Sequence, residues 1–546
     1  MLLALVISSC QTVDLASLPP AGERDPDRSS LRVAQGAVRA ASRESDPGKA
    51  AGLALLAAEI AWDLDWRRDG SVLSHECGRA ERVYNDALIQ LMEIVADEGV
   101  FALPAGGVVE GPRDSYRLRL GENTHRALAL YPGYRPSSEV RVGRGFDRRI
   151  TREGMGLPLV AFDRDGFLQS LLVKPDTFRR AEGYSMPLTA LLTFESPVGG
   201  EPRNATLSVV DPRQVEELIV EGRSVPLAAD FTAPLATSFP RFGATRSALR
   251  AAFRPAGWLS RTDLYALEHP DDERIPLVLV HGLFSTPDMW KNLINELNAE
   301  PGIGGRYQFY SFTYPTSLPP SFSGTLLRDS LDELREVHGF SDGYVLLGHS
   351  MGGILIRTKA TNSGRHIWDY FLGDNADKAW ESVPEDDIFR RSVVFEADPA
   401  VRRLVFVAVP HRGSPVATRA PVRFLTRLIR FPVELTGYVA SSPLVAFGVM
   451  DERRLPSSAD GLSPSSHFLQ GLAPLPTEAP AHSIIGNRGL PGPLEESSDG
   501  IVPYWSSHLP FAVSELVVPS DHSATEHPAT LEEIKRLLLQ DAEGGQ

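Results

Sequence analysis

Five consecutive residues, Gly348-His349-Ser350-Met351-Gly352, carry the clearest chemical signal in the chain. They match Gly-x-Ser-x-Gly. The apolar run Tyr344-Val345-Leu346-Leu347 precedes them and the helix-compatible run Ile354-Leu355-Ile356-Arg357 follows. A strand that turns sharply into a helix leaves the serine hydroxyl exposed at the turn, and glycines on both sides let the flanking backbones approach closely. The helix N-terminus then aims backbone N–H groups at negative charge developing during attack. The chemistry of such a pattern is nucleophilic attack by the Ser350 oxygen through a covalent intermediate.

A second motif, Val280-His281-Gly282-Leu283-Phe284, ends the apolar run Ile275–Val280, one strand–helix–strand–helix passage before Ser350. A loop at that place is the expected source of the second oxyanion donor. The backbone N–H groups of Leu283 and Met351 are therefore the candidate oxyanion hole. Both donate from the main chain, so their side chains are free to vary.

Residues about 270–540 resemble the α/β-hydrolase superfamily, and particularly its bacterial lipase and esterase branch. His281-Gly282-Leu283 and Gly348-His349-Ser350-Met351-Gly352-Gly353 carry the likeness. The resemblance implies a serine carboxylic-ester hydrolase that works through an acyl-serine, with its catalytic residues in the chain order Ser, Asp, His. It implies an ester or lipid substrate and no metal or organic cofactor.

That order selects candidates downstream. Ser497-Ser498-Asp499-Gly500 follows the strand around Ser483–Ile485 and looks like the lipase segment that carries the acid. A lone Asp-Gly would otherwise be read as an Asx turn. Asp398 and Asp521 are weaker candidates. The base is expected just past the last strand, Glu515–Val518, where Pro519-Ser520-Asp521-His522 follows. His527 competes, but it immediately precedes Pro528 and so lies near a helix cap. The positive end of that helix disfavours an imidazolium. His522 is preferred. His349 reads as an elbow neighbour packed against the helix, and His411 as a loop histidine beyond another strand end.

These residues need a scaffold. From about 265 onward, apolar runs alternate with helical ones. The strands are Ile275–Val280, Tyr307–Tyr314, Tyr344–Leu347, Leu404–Val409, Ser483–Ile485 and Glu515–Val518. Helices are expected over Asp288–Leu297, Thr325–Val337, from Met351 and over Pro528–Leu539. This pattern predicts a parallel sheet covered on both faces, an α/β fold. The catalytic domain is read as 265–546, with a cap at about 415–481 because a structureless loop of that length is improbable. Phe424, Leu425, Leu428, Ile429, Phe431, Val433 and Leu435 would suit a cover over an acyl site.

Upstream, residues 31–100 carry helical spacing, notably Ala50–Asp63 and Ala80–Asp97. Residues 101–264 read as a β-rich or α+β domain, with strands at Ser115–Leu120, Glu139–Val142, Leu157–Phe162, Leu188–Phe194 and Ala205–Val210. Residues 1–30 read as a signal-like segment and a tether. There, Ile7-Ser8-Ser9-Cys10 resembles the lipobox of bacterial lipoproteins, although no Lys or Arg precedes the apolar run. That likeness implies lipidation of Cys10 and an anchor in the cell envelope. Gln11, in place of the Asp that retains such proteins at the inner membrane, favours the outer membrane.

The remaining cysteine, Cys77, reads as a small buried apolar residue. Two cysteines in 546 residues exclude a disulfide scaffold. A formal charge of −15 argues against nucleic acid as a partner. No run of 18 apolar residues predicts a membrane-spanning helix. Two other functions stay open at this stage: an acyltransferase using the same acyl-serine, and a non-catalytic envelope interaction protein that kept the fold.

Overall fold

Ile275–Val280 has no polar face, so as a strand it must be covered on both sides; every one of its six residues is buried. The computed structural model describes residues 28–65, 77–98, 107–122, 124–143, 145–163, 183–195, 201–220, 223–239, 263–340, 342–418, 457–489 and 491–543. They divide into two compact units. One is drawn from within 1–141, 151–164 and 185–234, the other from within 142–150, 165–184 and 235–546.

The first unit joins helices and sheet in one body, where the sequence separates a helical module from a β-rich domain. Helices α1 (Arg28–Ala41), α2 (Pro47–Asp65) and α3 (Cys77–Glu98) pack on one another. Its sheet contains β1 (Val108–Glu110), β2 (Ser115–Leu120), β3 (Gly133–Pro136), β5 (Leu157–Phe162), β6 (Ser185–Phe194) and β7 (Arg203–Val210). The order is β1-β2-β7-β6-β5-β3, with β2 and β7 parallel. Two short pairs complete it: β4 (Thr151–Arg152) with β10 (Ala229–Asp230), and β8 (Glu217–Val220) with β9 (Arg223–Pro226).

Buried polar groups lock α2 and α3 to the sheet. Arg203 of β7 pairs with Glu59 and Asp63 of α2, and the Tyr116 hydroxyl donates to Glu59 at 2.6 Å. The Tyr84 hydroxyl on α3 meets both the N–H and the carbonyl of Leu192 at 2.7 Å. The expected strand Glu139–Val142 is absent. Ser137–Glu139 forms a 3₁₀ turn instead, closed by the Val140 N–H on the Ser137 carbonyl at 3.0 Å.

The second unit is built on β11 (Asp263–Ala266), β12 (Ile275–Val280), β13 (Tyr307–Thr313), β14 (Tyr344–His349), β15 (Val401–Val407), β16 (Ala481–Gly486) and β17 (Ser514–Val518). The order is β11-β13-β12-β14-β15-β16-β17. Every neighbouring pair is parallel except β11 with β13. The six expected strands are all present, within a few residues of their expected ends. The antiparallel edge strand β11 was not foreseen. Helices Lys291–Asn298, Pro320–His338, Met351–Lys359 and Pro528–Glu543 correspond to the expected ones. Three more, His366–Leu372, Ala376–Ser382 and Ile388–Val393, lie between helix Met351–Lys359 and β15.

The core joins Leu277, Leu279, Trp290, Ile294, Phe309, Val345, Leu347, Val405, Ile484 and Leu538. Phe146 packs against it from residues 142–150, which the sequence assigned to the preceding domain. Arg148 in that segment pairs with Glu296 through both carboxylate oxygens, at 2.7 and 2.6 Å. No helix among the described residues is long and apolar enough to cross a membrane.

Candidate active site

Ser350 lies between the end of β14 and the start of helix Met351–Lys359, with φ 53° and ψ −125°. Its N–H donates to the Val407 carbonyl at 3.0 Å, which fixes the turn to the neighbouring strand. Only glycine fits at position 352, because a Cβ there would stand 2.2 Å from the Val280 carbonyl oxygen. That close approach brings the elbow against the end of β12, where the His281-Gly282-Leu283 loop begins.

His522 follows β17, and its Nε2 is 2.9 Å from the Ser350 Oγ. Its Nδ1 is 2.7 Å from Oδ2 of Asp499, whose side chain is 1% exposed. The other carboxylate oxygen accepts the N–H groups of Ile501 and Val502 at 2.7 and 2.6 Å. A carboxylate only accepts, so the proton at this contact is on Nδ1. Nε2 is then the lone-pair nitrogen that faces the serine hydroxyl. Ser350, His522 and Asp499 thus form one line of hydrogen bonds, although 172 residues separate the serine from the histidine.

The competing candidates lie elsewhere. The His527 Nδ1 accepts the Ala529 N–H at 3.2 Å and so caps the last helix. Asp398 bonds the Tyr344 hydroxyl and pairs with Arg335 and Lys359. Asp521 accepts the Ser523 N–H at 2.9 Å. His411 is buried beside Arg357, and burial together with that guanidinium holds its imidazole well below the usual range. Among the described residues no group of three or more His, Cys, Asp or Glu is arranged to hold a metal ion.

The loop after β12 is pressed against the elbow. A Cβ on Gly282 would meet the Ser350 Cβ at 2.9 Å, so glycine is required for the approach. Phe284 adopts φ 57°, and the Ser285 N–H bonds back to the Gly282 carbonyl at 3.3 Å. His281 stacks on Tyr314 with ring centroids 4.7 Å apart, and the Tyr314 hydroxyl donates to the His281 carbonyl at 2.7 Å. Burial lowers the His281 pKa to about 4, so this imidazole is a neutral support. Met351 opens its helix, where backbone N–H groups have no intrahelical partner.

The segment Val409–Ser414, in which the sequence singles out only His411, as a loop histidine, has a structural role. It laces the turn that carries Asp499. Ser507 Oγ donates to the Val409 carbonyl at 2.9 Å, and Ser506 Oγ to the Gly413 carbonyl at 2.6 Å. The Ser414 hydroxyl donates to the Ile501 carbonyl. The pair Gly413-Ser414 was the available signal, but the partners of this segment lie about ninety residues away. Cys10 and the apolar cap residues Phe424–Leu435 fall outside the described residues, and Cys77 is the first residue of α3.

Residues 277–534 match the model of the alpha/beta hydrolase family. Among solved structures, the mature form of a Bacillus licheniformis lipase is 18% identical, with 50% of this chain and 97% of that one covered and a TM-score of 0.30. Esterase 2 of Thermogutta terrifontis, in its apo form, is 13% identical over 51% of this chain and 88% of its own, with a TM-score of 0.28. A type II thioesterase from a yersiniabactin biosynthetic pathway is 16% identical over 51% and 98%, with a TM-score of 0.27. No curated protein matches the chain.

Proposed function

We propose that the chain is a serine carboxylic-ester hydrolase whose catalytic residues are Ser350, His522 and Asp499. The observation that carries this reading is the line of hydrogen bonds from Asp499 through His522 to a serine held at positive φ on a strand-to-helix turn.

In the proposed mechanism His522 Nε2 accepts the Ser350 proton as Oγ attacks the ester carbonyl. Asp499 holds the imidazole in its Nδ1–H tautomer and stabilises the imidazolium that forms. The N–H groups of Leu283 and Met351 receive the negative charge on the tetrahedral oxygen. His522 then protonates the departing alkoxide, and an alcohol leaves. Water, deprotonated by His522, attacks the acyl-serine, and His522 returns that proton to the Ser350 oxygen as the acyl–oxygen bond breaks and the acid leaves. Each step moves one proton between Nε2 and an oxygen, so no external oxidant or metal is required by the balance.

Hydrolysis of short- and long-chain p-nitrophenyl esters tests the reading. The full chain is expected to turn over at least one of them, and Ser350→Ala to lose at least about 1,000-fold in kcat. Undiminished hydrolysis by Ser350→Ala would overturn it. We also propose lipidation of Cys10 as the membrane tether. Cys10→Ser is then expected to move the protein from the membrane to the soluble fraction of a bacterial expression host. An unchanged membrane-bound distribution contradicts the tether.

A further inference from the structure

His349 is the last residue of β14 and directly precedes the nucleophile. Its Nε2 lies 2.9 Å from the backbone carbonyl oxygen of His522, 173 residues further along. A carbonyl only accepts, so Nε2 carries the proton and the ring is the Nε2–H tautomer. The two imidazoles stand 4.9 Å apart at a tilt of 49°, too inclined for a stack to align them. The ring is buried, and burial together with the neighbouring His522 lowers its pKa to about 3. It therefore stays neutral while His522 takes up and releases a proton 4.9 Å away.

His522 is then held at three points. Asp499 fixes its ring nitrogen, Ser350 meets the other, and His349 holds its main chain. The first two contacts orient the ring about its side-chain bonds, whereas the third holds the main chain of His522 itself, beyond the Arg488 N–H that holds the Ser520 carbonyl at 2.8 Å two residues earlier. The base follows an edge strand, β17, where paired backbone constrains it from one side only. Gly282 closes the arrangement, since a Cβ there would be 3.1 Å from His349 Nδ1 and 2.9 Å from Ser350 Cβ. The same ring thus sits between the oxyanion loop, the nucleophile and the base.

We infer that His349 is a positioning residue, which sets the distance from His522 Nε2 to Ser350 Oγ by hydrogen-bonding the main chain of the base. The inference rests on the reading of Ser350 and His522 as nucleophile and base. Displacing a reacting group by about 1 Å costs on the order of 100-fold in rate. His349→Phe and His349→Leu remove the donor. His349→Gln restores an N–H at about the reach of Nε2.

The experiment compares kcat, KM and the rate of fluorophosphonate labelling for these three variants and Ser350→Ala, with thermal unfolding measured on each. The expected result is a fall of about 10- to 100-fold in kcat and labelling rate for the Phe and Leu variants, with KM within about threefold of the starting protein. The Gln variant is expected to recover most of that loss. Two results would overturn the inference: a folded Phe or Leu variant with kcat within about twofold, or a folded Gln variant as impaired as they are. If Phe and Leu do not fold, the Gln variant decides alone, since loss of kcat in that folded protein contradicts the role. Retained labelling in Ser350→Ala would instead overturn the underlying assignment of the nucleophile.

Discussion

Asp499 cannot turn away from His522, because its second oxygen is held by the N–H groups of Ile501 and Val502. That restraint fixes what an amide would do there. In Asp499→Asn the carbonyl oxygen stays with the two backbone donors, and the NH₂ group faces His522 Nδ1. The imidazole is then driven into the Nε2–H tautomer, which cannot accept the serine proton. The expected loss in kcat is about 10³- to 10⁴-fold with the fold retained. Steady-state hydrolysis checks it, and a loss below tenfold contradicts the assigned role. His527→Ala is expected to keep kcat within a few fold, since that ring caps a helix. Ser350 was legible in the sequence because its motif is local. Asp499 and His522 were legible because each follows a recognisable strand. The role of His349 was not, because its partner is a main-chain oxygen that no residue pattern encodes.

Four residues other than glycine adopt positive φ: Phe284, Ser350, Ala408 and Arg488, at 57°, 53°, 52° and 56° among the described residues. Each lies within four residues of the carboxyl end of a parallel strand, β12, β14, β15 or β16. Such backbone costs about 1–3 kcal/mol per residue and persists where surrounding structure enforces it. The strained edge of this sheet is therefore the edge where Ser350 and His522 stand, the place at which open parallel sheets commonly bind ligands. Gly282→Ala tests the close approach at that edge. The added Cβ meets Ser350 Cβ at 2.9 Å and must push the loop after β12 away. A fall in kcat of at least about tenfold is expected, and an unchanged kcat contradicts the loop's role. Continuous apolar runs made the parallel strands legible, whereas β11 has only four residues and gains its place by pairing with β13. The helices between 366 and 393 are short and were missed for the same reason: tertiary packing, not local periodicity, sustains them.

Across the whole chain, burial of polar groups sets where stability is exposed to mutation and to pH. In the first unit, Arg203→Leu would take from the buried Glu59 carboxylate the guanidinium that pairs with it, with an expected cost of about 3–5 kcal/mol. Denaturant unfolding checks it, and a cost below about 1 kcal/mol contradicts the pairing. In the second unit, His281 and His349 have folded pKa values lowered to about 4 and about 3. Their unfolded values lie near 6.5. Between those limits the unfolded chain binds more protons, so stability rises with pH. The melting temperature is expected to fall as pH drops from about 6.5 towards 4, and a flat profile contradicts it. The sequence did not reveal that residues 142–150 belong with the second unit, because Phe146 and the Arg148–Glu296 pair act across about 150 residues. The central claim is that Ser350 is an activated nucleophile, and covalent labelling reads this without knowledge of the substrate. Treating the folded full chain with a fluorophosphonate and mapping the adduct by peptide mass spectrometry should place it on Ser350 and abolish it in Ser350→Ala. A folded protein that remains unlabelled, or an adduct on another residue, would contradict the account.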